Sequence, residues 1–297
     1  MKKNTIYKIR RKLQVFSLRL TSRETMSKLY YRIIMGRKLN LSNPRTFNEK
    51  LQWLKLYYYP YDQLAINCTD KYLVRDYIER KGLGQYLNEI YGVWDKTDEV
   101  NWDLLPDKFV LKCTHGCGYN ILCEDKKLIN SQDVMKRING WLKEDFGAFN
   151  VEPHYSSLKG LIICEKFLGG DIIDYKYFCF NGKLVFMYIA QGFGKQVNER
   201  ITFFDDNGHR TPYKRTDYPE LEGASLPMEF ERMKELSLIL ASDFPFVRVD
   251  WFEVDGVIYF SEMTFTPCGA MMKIDPPDYD KKLGELLDIS QWIEEKK

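Results

Sequence analysis

Residues 246–270, FVRVDWFEVDGVIYFSEMTFTPCGA, constrain this chain more than any other stretch. The run 246–254 is rich in β-branched and aromatic residues and reads as a strand. Asp255-Gly256 follows, the strongest short signal for a hairpin turn. A second strand, 257–260, leads on to Glu262. Folding back at the turn brings Asp250 and Glu262 near each other in space. Side chains alternate along a strand, so Arg248 and Asp250 share a face. Thr264, two residues past Glu262, falls on the same face as that carboxylate. Two carboxylates and a hydroxyl are hard oxygen donors, suited to Mg2+ held with help from substrate phosphates. Arg248 beside them can clamp a phosphate or a carboxylate. A surface hairpin could carry the same charges on a solvated face. Here the acids are set among Val, Phe, Trp and Ile, where an unpaired buried charge is costly.

A chain of 297 residues can bury a sizeable core and forms one large or two ordinary domains. Its hydrophobic fraction of 44% and charged fraction of 29% are those of a soluble globular protein. No apolar run approaches a membrane span, and the N-terminus lacks the apolar core and cleavage site of a secretory signal. Seven scattered cysteines do not form a disulfide framework, which points to a reducing, cytoplasmic compartment. The net charge of +2 hides an asymmetry: residues 1–40 carry twelve Lys/Arg and one acid, Glu24. A basic arm on an acidic body is a partner signal. Within the arm, Ile6, Ile9, Leu13, Phe16, Leu20, Leu29, Tyr30, Ile33 and Ile34 recur at helical spacing, predicting one or two helices that end near Gly36. Such a segment can lie on an anionic membrane face or pack on the body with a solvated basic side. Nucleic acid is the weaker reading, because no groove-reading or RNA motif accompanies the charge.

Downstream, Thr46 and Glu49 have the spacing of a capping box ahead of a helix that carries Leu51, Trp53, Leu54 and Leu56. Asp70 is expected to cap the next helix, with Tyr72, Leu73, Val74, Tyr77 and Ile78 on its buried face. A short strand is expected over 87–93. Strand 109–112 ends in Lys112, then comes the loop CTHGCGYN and a second short strand, ILCE. Glycines let backbone N–H groups approach phosphates, and a strand-end lysine adds charge, although most such loops are only turns. A helix is expected over 131–146, capped by Ser131. Strand 161–164 stops at Glu165, which suits either a hinge lining a nucleotide base or an edge residue reaching solvent. Strands 174–180 and 184–190 join at Asn181-Gly182, with Asp174 and Lys176 on one face. The polar connection 191–217 holds a short strand, 201–204, and four cations, Lys195, Arg200, Arg210 and Lys214. These could meet an anionic substrate or be solvated. A helix over 227–242 should bury Met228, Phe230, Met233, Leu236 and Ile239 or Leu240. Cys113, Cys117, Cys123 and His115 lack the spacing of a zinc site. No nucleophile elbow, Walker A or Rossmann fingerprint is present.

In this order the pieces resemble the ATP-grasp superfamily, and specifically its TupA-like branch of bacterial surface-polysaccharide gene clusters. The resemblance spans roughly 40–285. It is carried by NPRTFNEKLQWLK (43–55), TDKYLVR (69–75), LPDKFVLKCTHGCGYN (105–120), DYKYFCFNGK (174–183) and VRVDWFEVDGVIYFSEMTFTP (247–267). It implies an α+β ATP-grasp fold in which two α+β subdomains, about 109–165 and 166–290, clasp ATP. A helical region, 41–108, and a basic helical arm, 1–40, precede them. By that likeness Lys112 and Lys176 face phosphates, and His115, Gly116, Gly118 and Tyr119 belong to the loop that covers them. Glu165, Lys166, Phe167 and Leu168 would line the adenine, with Asp174 near the ribose or phosphates. Asp250, Glu262 and Thr264 look like the Mg2+ ligands. Arg248 looks like the group that stabilises a reacting acyl phosphate, acting with Lys112 and Lys176. The superfamily's usual E-x-N metal motif is Glu262-Met263-Thr264 here, a departure the branch shares.

The chemistry so implied is ATP-dependent joining of a carboxylate to an amine through an acyl phosphate. The branch suggests an amino acid joined to a uronic acid of a capsular glycan or its lipid-linked precursor. Residues 1–36 would then hold a cytoplasmic enzyme against the inner face of the cytoplasmic membrane. The rival classes are a glycosyltransferase or a sugar or polysaccharide kinase of the same pathway, and a non-catalytic binding protein that kept the fold.

Overall fold

Strand pairing sorts the chain into two main antiparallel sheets. A computed structural model describes residues 11, 14–18, 20–194 and 198–295. Ile6, Ile9 and Leu13 of the basic arm and the candidate Lys195 lie outside those residues. The first sheet contains β1 (Ile90–Trp94), β2 (Phe109–Cys113), β3 (Asn120–Cys123) and β4 (Ile162–Lys166), in the order β1-β4-β2-β3. The second contains β5 (Asp174–Phe180), β6 (Lys183–Gln191), β7 (Arg200–Asp205), β9 (Phe246–Val254) and β10 (Val257–Thr264), in the order β10-β9-β5-β6-β7. A small ribbon pairs β8 (Lys214–Arg215) with β11 (Ile274–Asp275). The helices are α1 (Arg23–Met35), α2 (Phe47–Tyr57), α3 (Gln63–Thr69), α4 (Val74–Arg80), α5 (Ser131–Leu142), α6 (Pro153–Ser156), α7 (Phe230–Ala241), α8 (Asp278–Leu286) and α9 (Ser290–Glu295). This is the expected α+β class. None of the described helices is long and apolar enough to cross a membrane.

Each sheet has its own core. Phe109, Leu111 and Cys113 alternate inward from β2 and meet Val134 and Ile138 of α5. The larger core surrounds the second sheet. Every residue of β5 is buried, because the strand is central and both of its faces are covered. One anchor is Trp251 of β9, fully buried, whose indole N–H donates to Ser237 of α7 at 2.8 Å. Another is Tyr59, whose hydroxyl donates to the Phe246 carbonyl at 2.9 Å.

The Asp255-Gly256 turn forms with φ of 51° and 74°, the paired positive values a type I′ hairpin requires. The second strand runs past Phe260 to Thr264, longer than expected. A bulge between Phe260 and Glu262 resets the register so that Glu262 faces Asp250 and Thr264 faces Arg248.

Some local expectations are corrected. Helix α4 starts at Val74: Asp70 instead accepts the Tyr72 and Leu73 N–H groups at 2.8 and 3.0 Å in a preceding turn. That leaves Tyr72 and Leu73 exposed. Asn130, not Ser131, caps α5 by accepting from Asp133 N–H at 3.1 Å. Strand β1 begins at Ile90, after a 3-10 turn at 84–86. Helix α7 begins at Phe230, and Met228 and Ile239 are exposed. The short strand expected over 201–204 is present as β7, which pairs with β6 at the sheet edge.

The capping box at Thr46 is present as expected, with Glu49 accepting from Thr46 N–H at 3.1 Å. The described part of the basic arm packs on the body. Val15 meets the small core and Leu18 the large one, and Met26 and Tyr31 of α1 are buried. Glu24 accepts from the Tyr57 hydroxyl at 2.6 Å.

Candidate active site

The register of β9 and β10 assembles the acids on the second sheet. Arg248 Nε and Nη2 each lie 2.6 Å from one carboxylate oxygen of Asp250, a bidentate pair. The same Nη2 also lies 2.7 Å from Glu262 and 2.9 Å from the Thr264 hydroxyl. The Thr264 hydroxyl donates to Glu262 at 3.0 Å. On the neighbouring strand β5, opposite Asp250 in register, Lys176 Nζ lies 2.5 Å from Asp250 and 3.2 Å from Asp174. Asp174, Lys176, Asp250, Arg248 and Glu262 therefore form one continuous chain of alternating charge.

Burial makes that order necessary. Asp250 is wholly inaccessible and Lys176 and Arg248 are buried, so an unpaired member would be costly. Burial pulls the Lys176 ammonium down, but Asp174 and Asp250 outweigh it and raise it above its ordinary value. Burial pushes the Asp174 carboxyl up. Burial also pushes Glu262 up, but Lys71, Arg248 and Lys176 together hold it well below the usual carboxylate range. Glu262 is thus an ionised carboxylate with part of its side chain open to the cleft.

A second pair sits on the first sheet. Lys112 Nζ lies 2.6 Å from Glu165, which is buried within β4 and neither ends the strand nor reaches solvent. Lys112 pairs on its own sheet rather than with the acids of the second. Lys166 is exposed at the end of β4, where its N–H donates to the Glu89 carbonyl at 2.9 Å. Phe167 and Leu168 follow in the half-buried crossing between the sheets.

The glycine loop divides by residue. Gly116 has no room for a side chain: a Cβ there would lie 2.6 Å from the Tyr119 ring. Gly118 adopts φ of 74°. His115 turns away from the cleft, with Nε2 3.1 Å from the Trp141 carbonyl, and burial lowers its basicity. Tyr119 also turns inward, stacking on Trp141 and donating to Glu144 at 2.6 Å. The loop can therefore offer backbone and the Cys117 tip to a ligand, but not the His115 or Tyr119 side chains as they stand.

Arg200, Arg210 and Lys214 do not join the site. Arg200 donates to the Glu220 carbonyl at 3.3 Å, Arg210 pairs with Glu220 at 2.6 Å, and Lys214 lies 3.7 Å from Asp275, all at the surface.

Two sets of residues escaped the sequence reading. Lys71 ties the loop to the acids: its Nζ donates to the Gly116 carbonyl at 2.8 Å and lies 3.6 Å from Glu262. Behind the hairpin, Cys268, Gly269 and Ala270 all have positive φ, a strained run for two non-glycine residues. Gln52 donates to the Gly269 and Ala270 carbonyls, both at 3.1 Å. Lys55 donates to the Asn150 and Gly269 carbonyls at 3.1 and 3.0 Å. Glu152 accepts from Thr266 at 2.5 Å. The signal was available. Asn48, Gln52 and Lys55 fall at i, i+4, i+7 on one buried face of α2, and a buried polar stripe must find partners.

A cleft of about 430 Å3 lies beside the hairpin acids. Arg248, Glu262 and Thr264 line one side, Cys117 and Thr266 contribute, and Arg11 and Gln14 from the N-terminal helical residues form a further wall. Donor chemistry fits a hard divalent cation at Glu262 and Thr264. Asp250 would have to exchange Arg248 or Lys176 for the metal, since both cations hold its oxygens. Lys112 and Lys176, expected at the phosphates, do not line this cleft, and of the glycine loop only Cys117 does.

The sequence matches the family model for TupA-like ATPgrasp over residues 49–288. The chain belongs to the TupA-like ATPgrasp family. Comparison with curated protein sequences gives no match. Among solved structures, D-alanine–D-alanine ligase from Bacillus anthracis is similar at 18% identity, over 78% of this chain and 70% of that one, with a TM-score of 0.48. The Helicobacter pylori D-alanine–D-alanine ligase is similar at 16% identity, over 82% and 69%, with a TM-score of 0.44. Biotin carboxylase from Campylobacter jejuni is similar at 15% identity, over 76% and 48%, with a TM-score of 0.40. The matched span contains both the hairpin and the glycine loop of this TupA-like ATPgrasp protein.

Proposed function

We propose that this chain is an ATP- and Mg2+-dependent carboxylate–amine ligase that joins an amino acid to a uronic acid of a bacterial surface glycan. The observation that carries the reading is the bridging of Asp250 and Glu262 by one nitrogen of Arg248, at the wall of a cleft that the glycine loop also reaches.

In this reading a substrate carboxylate oxygen attacks the terminal phosphorus of ATP, releasing ADP and leaving an acyl phosphate. An amine then attacks the acyl carbon, phosphate departs, the amine loses a proton and an amide remains. Glu262 and Thr264, with Asp250, would hold a divalent cation, which when bound would offset phosphate charge. Lys112 and Lys176 supply fixed positive charge to the phosphates from the two sheets. Arg248, kept in place by the bidentate Asp250 contact, faces the cleft with a guanidinium suited to the acyl phosphate oxygens. Glu165 fixes Lys112, and Asp174 stays beside Lys176 when Asp250 exchanges that lysine for the metal, so the two lysines remain in place when charge develops. The backbone of the Gly116 loop covers the phosphates.

The test is ADP release with a panel of uronic acids and amino acids, followed by mass spectrometry of the product. An amide formed with one ADP and one phosphate supports the ligase. A phosphorylated sugar formed without amine would make the protein a kinase. Turnover of a nucleotide sugar without ATP would make it a transferase. ATP binding without any turnover would leave only a binding protein.

A further inference from the structure

The N-terminal helical residues and α1 keep large apolar side chains in water. Phe16 is 58% exposed and Leu20 71%, spaced i, i+4. Leu29 is 49% exposed and Ile33 69%, again i, i+4. The other sides of these segments are used for packing, through Val15, Leu18, Met26 and Tyr31. These apolar positions are therefore not core residues left over, but a face the fold does not cover. On α1 the adjoining stripe carries exposed Arg32 and exposed Lys28, the latter paired with Glu24 at 2.6 Å. Apolar side chains interleaved with cations, on a segment of net +11 over residues 1–40 attached to a body of net −9, match one kind of surface. The apolar groups suit the acyl boundary, and the cations suit anionic headgroups above it.

We propose that this face docks on an anionic lipid bilayer. The inward side of the same N-terminal helical residues supplies Arg11 and Gln14 to the cleft wall. The described residues among 11–20 would then lie between lipid and cleft. Resting on the ligase reading above, a substrate carried at the membrane surface would reach the site along them.

The test is co-sedimentation of the full chain with vesicles, without nucleotide or substrate, so that it is independent of turnover. One set is phosphatidylcholine alone and the other is phosphatidylcholine with phosphatidylglycerol. Wild-type protein is expected to bind the phosphatidylglycerol vesicles, with binding weakened by salt. The pairs Leu29→Glu/Ile33→Glu and Phe16→Glu/Leu20→Glu should each lower apparent affinity by about tenfold or more. Lys28→Glu/Arg32→Glu should abolish the preference for anionic vesicles. Circular dichroism of each variant checks folding. Failure of wild type to bind anionic vesicles overturns the proposal, as do folded variants that bind like wild type. A wild-type dimer in light scattering that the Leu29/Ile33 pair dissolves would instead assign the face to a second copy.

Discussion

The ammonium of Lys55 lies 3.0 Å from the carbonyl oxygen of Gly269, wholly buried behind the cleft. It fastens α2 to the turn of left-handed residues that follows β10. Burial pulls the Lys55 ammonium down to about 8, against the opposing pull of Glu152. The unfolded value is about 10.4. Between those two values the unfolded chain binds the proton that the folded chain has released, so stability rises with pH across that window. Below it the burial penalty is felt in full. Lys55→Met removes this titration. The difference in Tm between wild type and variant is expected to shift in favour of wild type from pH 8 to pH 10, read by thermal unfolding at several pH values. A difference independent of pH would mean that Lys55 is not held as described.

Asp250 and Glu262 belong to one cluster but should respond differently to neutralisation. Asp250 is inaccessible and holds two buried cations. Asp250→Asn leaves Arg248 and Lys176 short of a partner and is expected to cost about 3–5 kcal/mol as well as turnover. Glu262 is partly open to the cleft. Glu262→Gln should cost clearly less stability than Asp250→Asn, because Arg248 keeps its bidentate Asp250 contact, while lowering ADP release by a factor of about 100 or more. Denaturant titration beside the ADP assay separates the two.

The Thr264 hydroxyl touches both Arg248 and Glu262. Thr264→Val keeps the shape and removes the hydroxyl. The lost contacts predict a decrease in kcat of about tenfold, with Thr264→Ser restoring most of it. Equal activity in all three would remove Thr264 from the site.

The larger elements were legible because each rested on a local rule. Alternation and Asp255-Gly256 set the hairpin, and Thr46 with Glu49 set α2. The bulge after Phe260 was not legible, since nothing in YFSEM separates an extra residue from regular alternation, yet it sets Glu262 opposite Asp250. Asp70 misled for a related reason: its carboxylate accepts from two N–H groups in a turn as readily as at a helix start. His115 and Tyr119 were read with their loop as facing phosphate. Their side chains turned inward because the α5 end offers an acceptor carbonyl and an aromatic surface. Lys71 was missed because its partners, Gly116 and Glu262, are distant in sequence and come together only when both sheets are in place.

That last contact yields a prediction about the glycine loop. Lys71 joins the Gly116 carbonyl to Glu262, so it links a loop of the first sheet to an acid of the second. Lys71 is also the foremost of the cations that depress the Glu262 carboxyl against burial. A depressed carboxyl contributes stability above its unfolded value, about 4.3, and loses it as pH falls towards the folded value. With Lys71→Ala the folded value rises, so the variant has less stability to lose above about pH 4.3 and is exhausted sooner on acidification: the acid-unfolding midpoint should move up relative to wild type. The loop also loses its tether. Amide exchange over residues 114–118 should quicken and KM for ATP should rise by about tenfold, equivalent to about 1.4 kcal/mol. Unchanged exchange in the loop, with an unchanged acid midpoint, would show that Lys71 does not couple the two sheets.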